Sequence, residues 1–374
     1  MSSTVPAKRT ADGEEIPAAA QSIERVVTEG AKYALVVKAG GLVSTAGLVA
    51  DDLSADAKGQ AEQILAKADK IIEEHQLRKD QLVSANVWVA NISEDFAKVN
   101  EVWDAWVDTD NVPVRAAVEG GLVTPDYLVE IQFYFDTAAE TIERFDKTPR
   151  YCLVTKAGDT TYFAGLIADD TAADTKGQTE QILAKAEGLM AQHGLEKRHL
   201  VASTVWLKDL AADFAALNEV WEGWHDPACL PVRATVQANL ATPAHTVEVQ
   251  FTFYTGAAEV GRHAPNGRYC PAVRAGPKVY FAGLIADDRG QDAAGQTAQV
   301  LAKADALMAA HGLAKADLLS GGVWLADVGR DFAAMNEGWW GWVDRAAPPT
   351  RATVQAALMA PEVLVEIQFA FYRP

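Results

Sequence analysis

The chain has 374 residues, of which 49% are hydrophobic and 22% are charged. These proportions are typical of a soluble globular protein, and no apolar run reaches the ~20 residues that a membrane-spanning helix needs. A formal net charge of −18 would repel a phosphate backbone, so we do not expect nucleic acid as a partner. The N-terminal stretch lacks the apolar segment of a signal peptide, so we expect a cytoplasmic protein without membrane contact.

The predicted elements begin with a polar tail that could include a short helix near 21–28. In the segment that follows, β-rich stretches at 33–38 and 42–49 flank Gly40 and Gly41, which predicts a hairpin. Apolar spacing predicts a helix over 59–75, and alternation predicts a strand over 82–89. A second helix is predicted over 93–107, followed by strands at 114–122 and 128–135. The order β-β-α-β-α-β-β predicts an α+β fold with both helices on one face of a sheet.

This pattern occurs three times, since Tyr33, Tyr151 and Tyr269 open matching segments that stand 118 residues apart. A period this long corresponds to a whole domain rather than to a solenoid unit of about 20–50 residues. Three such domains in one chain suggest a fused homotrimer. The predicted boundaries are a mobile tail at 1–30, copy 1 at 31–136, a linker at 137–150, copy 2 at 151–254, a linker at 255–268 and copy 3 at 269–374.

The second face of each predicted sheet needs a covering partner. The last strand of copy 1 reads Glu-Ile-Gln-Phe-Tyr-Phe and that of copy 2 reads Val-Glu-Val-Gln-Phe-Thr-Phe, from which we expect an apolar face. Three copies around a pseudo-threefold axis would bury three such faces against each other. The chain is therefore predicted to be a monomeric pseudo-trimer.

The three cysteines, Cys152, Cys229 and Cys270, are widely spaced and form no Cys-x-x-Cys motif. This argues against a disulfide framework or a zinc site, and a small buried side chain explains them better than a reactive thiol does. The sequence contains no metal-ligand cluster, Ser-His-Asp arrangement or phosphate-binding glycine loop. We therefore expect no metal and no organic cofactor.

An arginine and a glutamate recur 15 residues apart in every copy, on two consecutive predicted strands. A hairpin between those strands would bring the two side chains near each other. Arginine can bind a carboxylate through two parallel hydrogen bonds, and glutamate can hold or deprotonate water. A structural ion pair at a copy interface explains the spacing equally well. The six residues are Arg115, Arg233, Arg351, Glu130, Glu248 and Glu366.

Other repeated residues give weaker indications. The opening tyrosine of each copy could line a pocket or cap a core, and an asparagine in the second helix could bond locally instead. Tryptophans on that helix are more typical of a core, a histidine at the end of the first helix suits a cap, and a repeated Asp-Asp pair suits a solvated turn. The asparagines are Asn100, Asn218 and Asn336.

Taken together, the ordered motifs resemble the Rid family of reactive intermediate deaminases, also called the YjgF family. They are Tyr-x-x-x-x-(Lys/Arg)-Ala-Gly, Ala-Gly-Leu, Asp-Phe-Ala-x-x-Asn-Glu-x-Trp, Pro-Val-Arg-Ala-Thr-Val-Gln and Val-Glu-Val-Gln, over 31–136, 151–254 and 269–372. The resemblance implies a chorismate-mutase-like fold, trimeric assembly and ligand sites in the clefts between copies. It also implies that the arginines bind a substrate carboxylate, that the glutamates handle water, and that the tyrosines and asparagines shape the pocket.

Three departures from the family pattern bear on that pocket. The family's Ser-Gly-Gln motif is Ala-Gly-Leu here, at 46–48, 164–166 and 282–284, which predicts a more apolar pocket wall. Two residues after the arginine, where the family often has Cys or Thr, copy 1 has an alanine and the other copies have threonine. Copy 1 also reads Glu119-Gly120-Gly121 where the others read Gln-Ala-Asn or Gln-Ala-Ala, so we expect its cleft to differ in shape.

The leading functional hypothesis is an enamine or imine deaminase that converts a carboxylate-bearing imine into a keto acid and ammonia. A variant is a specialised deaminase that acts on a larger enamine in aromatic catabolism. The alternative from another class is a non-catalytic protein that binds small carboxylates or serves in interactions. An endoribonuclease, an activity attached to some relatives, is disfavoured by the net charge of −18.

Overall fold

The computed structural model describes residues 22–28 and 30–374, which form three similar units. Each unit has one mixed sheet with two long helices packed on one face, so the predicted α+β fold in three tandem copies is confirmed. In the first unit the strands are β1 (Ile23–Val26), β2 (Val36–Ala39), β3 (Leu42–Thr45), β4 (Leu82–Val89), β5 (Val114–Glu119) and β6 (Val129–Asp136), and the helices are α1 (Ala57–Glu74) and α2 (Ile92–Trp106).

The other two units repeat this arrangement. The second contains β7 (Ile142–Lys147), β8 (Cys152–Ala157), β9 (Thr160–Phe163), α3 (Thr175–Gln192), β10 (Leu200–Leu207), α4 (Leu210–Trp224), β11 (Val232–Gln237) and β12 (Val247–Tyr254). The third contains β13 (Gly261–His263), β14 (Ala272–Ala275), β15 (Lys278–Phe281), β16 (Leu284–Ile285), α5 (Ala293–Ala310), β17 (Leu318–Leu325), α6 (Val328–Trp342), β18 (Thr350–Gln355) and β19 (Val365–Tyr372).

The strand order places the strand that follows the second helix of each unit at a sheet edge. In the first sheet the order is β1-β2-β3-β6-β4-β5, and the second and third sheets follow the same plan. β4 and β5 pair in parallel because helix α2 connects them, whereas β4 and β6 are antiparallel. The expected hairpin between the last two strands of a copy is therefore wrong, since β4 lies between β5 and β6.

Helices cover one face of each sheet because their apolar residues recur at helical spacing. In copy 1, Ile64 and Ile71 of α1 and Trp103 of α2 are at most 3% exposed. They belong to one core with Val87 and Phe133 of the sheet. The matching residues of copies 2 and 3 form two further cores of the same kind.

Each sheet gains an edge strand from the segment that precedes its copy. β1 pairs with β2, β7 with β8 and β13 with β14, all in antiparallel register. The helix expected near 21–28 is wrong for residues 23–26, because their backbone pairs with β2. The predicted linkers at 137–150 and 255–268 likewise contain β7 and β13. Residues 1–21 of the predicted tail lie outside the described residues.

An arginine in each of these edge strands binds the neighbouring copy. Arg144 Nη2 donates to the carbonyl oxygens of Asp80 and Leu82 at 2.6 and 3.1 Å. Arg262 makes the same pair of contacts with copy 2, and Arg25 makes them with copy 3. Because Arg25 of the first sheet reaches the last copy, the three copies close into a ring.

The second faces of the three sheets meet around the pseudo-threefold axis, as predicted. That face is less apolar than expected, because alternation along β6 directs Ile131 and Phe133 to the helices while Gln132 and Tyr134 line a central cavity. One tryptophan from each copy packs at the axis, among alanine and valine residues of the edge strands. These are Trp88, Trp206 and Trp324.

Candidate functional site

The predicted site residues gather at three interfaces, each formed by two copies. Arg115 and Asn100 of copy 1 face Tyr151 and Glu248 of copy 2, in what we call the 1–2 cleft. The 2–3 cleft contains Arg233, Asn218, Tyr269 and Glu366. The 3–1 cleft contains Arg351, Asn336, Tyr33 and Glu130.

The arginine and the glutamate of one copy therefore lie in different clefts. Arg115 is on β5 at the sheet edge, where it faces copy 2, while Glu130 on β6 faces copy 3. The expectation that Arg115 and Glu130 meet across a hairpin is wrong, because β4 separates their strands. Each cleft is complete only when two copies are joined.

Each arginine is held by an asparagine and by aromatic rings. Arg115 Nη1 donates to Asn100 Oδ1 at 2.7 Å, and its guanidinium carbon lies 4.8 Å from the centre of the Trp103 ring and 5.7 Å from that of Phe96. Burial lowers the pKa of Arg115 to about 9, which leaves it charged at neutral pH. The asparagine thus orients the arginine. The matching bonds are Arg233–Asn218 at 2.7 Å and Arg351–Asn336 at 2.9 Å.

Two of the three arginines retain N–H groups that no atom of the described residues accepts. Nε and Nη2 of Arg115 and Nη1 of Arg233 are buried without a hydrogen-bond partner in that part of the chain. Within the part of the chain that the structure describes, no arginine–glutamate pair of a cleft comes within the 4.0 Å of an ion pair. The alternative of a structural ion pair therefore does not describe these clefts. A planar carboxylate could accept from the free N–H groups.

Each glutamate is buried against the glycine of the Ala-Gly-Leu motif. A methyl group added at Gly165 would lie 1.8 Å from Glu248 Oε1, so only glycine leaves room for this carboxyl group. Burial raises the pKa of Glu248 to about 8, and the nearby Arg115 offsets only part of this effect. The carboxyl group is therefore mainly protonated at neutral pH. Glu130 and Glu366 have the same pKa and the same glycine contact.

Backbone hydrogen bonds fix the two copies beside each arginine. In the 1–2 cleft, Gly165 N donates to the carbonyl oxygen of Arg115 at 3.1 Å, and Cys152 N donates to that of Pro113 at 3.0 Å. The glycine therefore holds the arginine strand as well as making room for the glutamate. The matching glycine bonds are Gly283–Arg233 and Gly47–Arg351, both 3.1 Å. The sequence marked these glycines only as part of a motif.

The predicted tyrosines lie beside the arginines of the preceding copy. The guanidinium carbon of Arg351 is 5.6 Å from the centre of the Tyr33 ring. Burial raises the pKa of Tyr33, and the charge of Arg351 lowers it in part. Tyr151 and Tyr269 are close enough to Arg115 and Arg233 to interact with them electrostatically. Each tyrosine therefore borders the place where a carboxylate would bind.

The leucines of the Ala-Gly-Leu motif do not form the cleft walls, because each packs in a helix-side core. This limits the predicted effect of the motif on pocket polarity. The residue two positions after the arginine lies closer to the cleft glutamate. The backbone N–H groups of Thr353 and Thr235 donate to Glu130 and Glu366, which lowers the pKa of these two carboxyl groups in part. The matching residue of the 1–2 cleft is Ala117. The leucines are Leu48, Leu166 and Leu284.

The mouth of the 3–1 cleft differs from the other two. Arg150 pairs with Asp104 at 2.6 Å beside the 1–2 cleft, and Arg268 pairs with Glu222 beside the 2–3 cleft. The matching positions of the 3–1 cleft are Lys32 and Trp340, which cannot form such a pair. The 3–1 cleft therefore has a different charge pattern at its entrance.

Other repeated residues have structural roles. His75, His193 and His311 occupy the C-cap positions of the first helices, as expected. The first aspartate of each Asp-Asp pair forms an ion pair with a lysine, as in the 2.6 Å pair between Asp51 and Lys67. Over residues 22–28 and 30–374 there is no cluster of three or more side chains that could hold a metal ion. No helix in those segments is both long and apolar enough to cross a bilayer.

Fold and clefts together define a class of protein, namely a single-chain pseudo-trimer of α+β domains with a polar cleft at each domain interface. The family model described as Endoribonuclease L-PSP matches residues 24–135, 141–254 and 261–371. The chain belongs to this family, which it contains in three tandem copies, and the resemblance to the Rid (YjgF) family is confirmed.

Single-domain relatives align with one copy at a time. A RutC family protein of Haemophilus ducreyi is 36% identical over 111 residues, which cover 30% of this chain and 94% of the relative. The RutC family protein YoaB of Escherichia coli is 39% identical over 84 residues, or 22% of this chain and 73% of the relative. Membership of this family supports, in general terms, a deaminase-type or small-molecule-binding role.

Solved structures are similar both to one copy and to most of the chain. A YjgF family member of Neisseria meningitidis, NMB1025, is 30% identical, covers 32% of this chain and 98% of its own, and has a TM-score of 0.30. A chorismatase structure covers 78% of this chain and 93% of its own with a TM-score of 0.57 at 12% identity. The second likeness concerns the fold alone.

Proposed function

We propose that the three clefts hydrolyse a carboxylate-bearing enamine or imine to a keto acid and ammonia. The observation that supports this most directly is that a charged arginine with free N–H groups lies near a neutral glutamic acid of the neighbouring copy. The arginine suits a substrate carboxylate, and the glutamic acid suits proton transfer at neutral pH.

Substrate binding would begin at the arginine. Arg115 is already oriented by Asn100, so little freedom is lost when a carboxylate accepts from its remaining N–H groups. The carbon attached to this carboxylate would then point across the cleft toward Glu248. Tyr151 would border the side chain of the substrate.

Glutamate would supply and recover the proton. The Glu248 carboxyl group first donates its proton to the enamine carbon, which gives an iminium ion. Water then adds to the imine carbon and returns a proton to the carboxylate. The carboxyl group next protonates the amine, the C–N bond breaks, ammonia leaves, and the hydroxyl proton returns to Glu248 as the keto group forms. The sum is enamine plus water giving keto acid plus ammonia, with the glutamate unchanged.

A non-catalytic carboxylate-binding role is the second candidate. A neutral glutamic acid opposite the arginine does not repel an anion, and this favours binding even without turnover. Small carboxylates would then raise the melting temperature while no imine is hydrolysed faster than in buffer. RNA cleavage, which the family description names, fits poorly with a net charge of −18 and with arginines that are 5–6% exposed. We expect RNA to stay intact with the purified protein.

The decisive experiment measures ammonia and keto-acid release from freshly generated 2-aminoacrylate and from bulkier imino acids. The triple variants R115K/R233K/R351K and R115A/R233A/R351A are compared with the wild type and with buffer. We expect acceleration by the wild type and return to the buffer rate in both variants, because a lysine cannot reproduce the two parallel bonds.

Melting curves separate loss of function from loss of fold in this experiment. Lysine variants that stay folded and keep full turnover would overturn the assignment. Preference for a bulkier imino acid would point to the specialised deaminase of a larger enamine. Folded wild-type protein that accelerates none of these reactions would leave the binding role.

A further inference from the structure

A cavity of about 240 Å³ lies on the pseudo-threefold axis, lined by the inner faces of the three sheets. It is separate from the clefts, whose arginines and glutamates do not line it. An engineered cavity of about 150 Å³ accommodates benzene. The volume on the axis is therefore sufficient for an aromatic ring with a small substituent.

Strand register orders the side chains along this cavity. In the third sheet Trp324 lies opposite Glu366, Gly322 opposite Gln368, and Lys278 opposite Tyr372. The tryptophans of the three copies therefore form one end, the glutamines follow, and Lys278 stands near the other end. Between them each copy contributes one tyrosine to the lining. These are Tyr134, Tyr162 and Tyr280.

Lys278 has no ion-pair partner within 4.0 Å in the described part of the chain. Its Nζ donates one hydrogen bond, to Thr160 Oγ1 at 2.7 Å. Asp136 and Asp159 attract it from a greater distance, and Oδ1 of Asp136 already accepts from two backbone N–H groups. An ammonium group has three donors. Two of those of Lys278 therefore remain for a ligand.

This lysine is peculiar to one copy. The matching positions hold Leu42 in copy 1 and Thr160 in copy 2. Burial lowers the pKa of Lys278 to about 8, so the ammonium is still the main form at neutral pH. In a chain with 51 acidic and 33 basic residues, an unpaired lysine that lines an internal cavity calls for an anionic partner.

Further polar groups face the cavity. Asn86 Oδ1 is buried without a hydrogen-bond partner among the residues that the structure describes. The amides of Gln250 and Gln368 and the Tyr280 hydroxyl also line the cavity. These groups could accept from or donate to polar substituents of a ring. The remaining walls are aromatic and aliphatic, which suits a planar apolar body.

We propose that this axial cavity is a binding site for one small aromatic carboxylate per chain, with its carboxylate on Lys278 and its ring between the tyrosines. Inorganic phosphate fits less well, because Lys278 is the one cationic residue among the described residues that line the cavity. The site goes beyond the proposed deaminase, since it uses none of the cleft residues and contains no proton-transfer pair.

The test uses 4-bromobenzoate as the probe and the full chain. Isothermal titration should reveal one site per chain that K278L weakens about tenfold or more, because a charge-assisted hydrogen bond is lost. The leucine is the residue that copy 1 has at this position, so we expect the variant to fold. K176L, which removes a surface lysine paired with Glu219 at 2.6 Å, should bind as the wild type does. A crystal soaked with the probe should show bromine on the axis.

Three results would overturn the proposal. Bromine found only in the clefts would assign all binding to the arginines. Equal binding by K278L and the wild type would remove the lysine from the site. No binding at millimolar probe by folded wild-type protein would leave a cavity that holds only water.

Discussion

The clefts and the axial cavity use the same three copies in opposite ways. Every cleft contains an arginine, an asparagine, a tyrosine and a glutamate, so the three copies share these four residue types there. On the axis, Lys278 corresponds to Leu42 and Thr160, and Tyr280 corresponds to Ser44 and Tyr162. The copies share the cleft residues and differ around the axis.

This difference shows what a single chain permits. In a homotrimer a lysine on the axis would appear three times, and three ammonium groups close together would repel each other in a low-dielectric cavity. Because this chain encodes each copy separately, it can place one lysine beside one threonine. A cleft uses only two copies and needs no such asymmetry.

The largest expected effect is on the rate of ammonia release, which should depend on the clefts and not on the axial cavity. The triple variant E130Q/E248Q/E366Q should lose about 10²–10⁴-fold in the rate of ammonia release, because glutamine can neither donate nor recover the proton. Carboxylate binding should persist, since the arginines are unchanged. The matched control K278L should keep the wild-type rate. If K278L lost as much activity as the glutamine variant, the two regions would not be functionally distinct.

The contributions of the clefts and of the axial cavity to folding stability should also change with pH in opposite directions. The pKa of each cleft glutamate rises from 4.5 to about 8 on folding, so the folded state binds more protons and stability falls as pH rises from 4.5 to about 8. The pKa of Lys278 falls from 10.5 to about 8, so the unfolded state binds more protons and stability rises between about pH 8 and 10.5.

Unfolding midpoints in denaturant from pH 5 to 10 would measure both contributions as differences from the wild type. The glutamine variant should lose less stability than the wild type between pH 5 and 8. K278L should gain less than the wild type above pH 8. Parallel curves for all three proteins would contradict the assigned pKa shifts.

Much of this architecture follows from periodicity, but the pairing of residues across copies does not. The helices over 57–74 and 92–106 were predictable because their apolar residues recur at helical spacing. The partner of Arg115 was not predictable from the sequence. A 15-residue spacing indicates Glu130, whereas the sheet order brings Glu248 of copy 2 near Arg115. A linker strand such as β7 has weak patterning and is fixed by a neighbouring sheet edge. The environment of Lys278 depends on where three sheets meet, which no local pattern encodes.

The smallest expected effect is a difference in unfolding free energy between the 3–1 cleft and the other two clefts. The 3–1 cleft joins the first and last copies, whereas the 1–2 and 2–3 clefts join copies that follow each other in the chain. Trp103 Nε1 donates to the carbonyl oxygen of Arg150 and Trp221 Nε1 to that of Arg268, both at 2.9 Å. Trp339 Nε1, in contrast, is buried without a partner within residues 22–28 and 30–374. Substitution by phenylalanine removes similar aromatic area at all three positions, but removes a satisfied N–H group at only two. W339F should therefore cost about 1 kcal/mol less unfolding free energy than W103F or W221F. Equal costs in denaturant titrations would mean that the 3–1 interface is satisfied as well as the others, and a smaller cost for W339F would mark it as the weakest point of the ring.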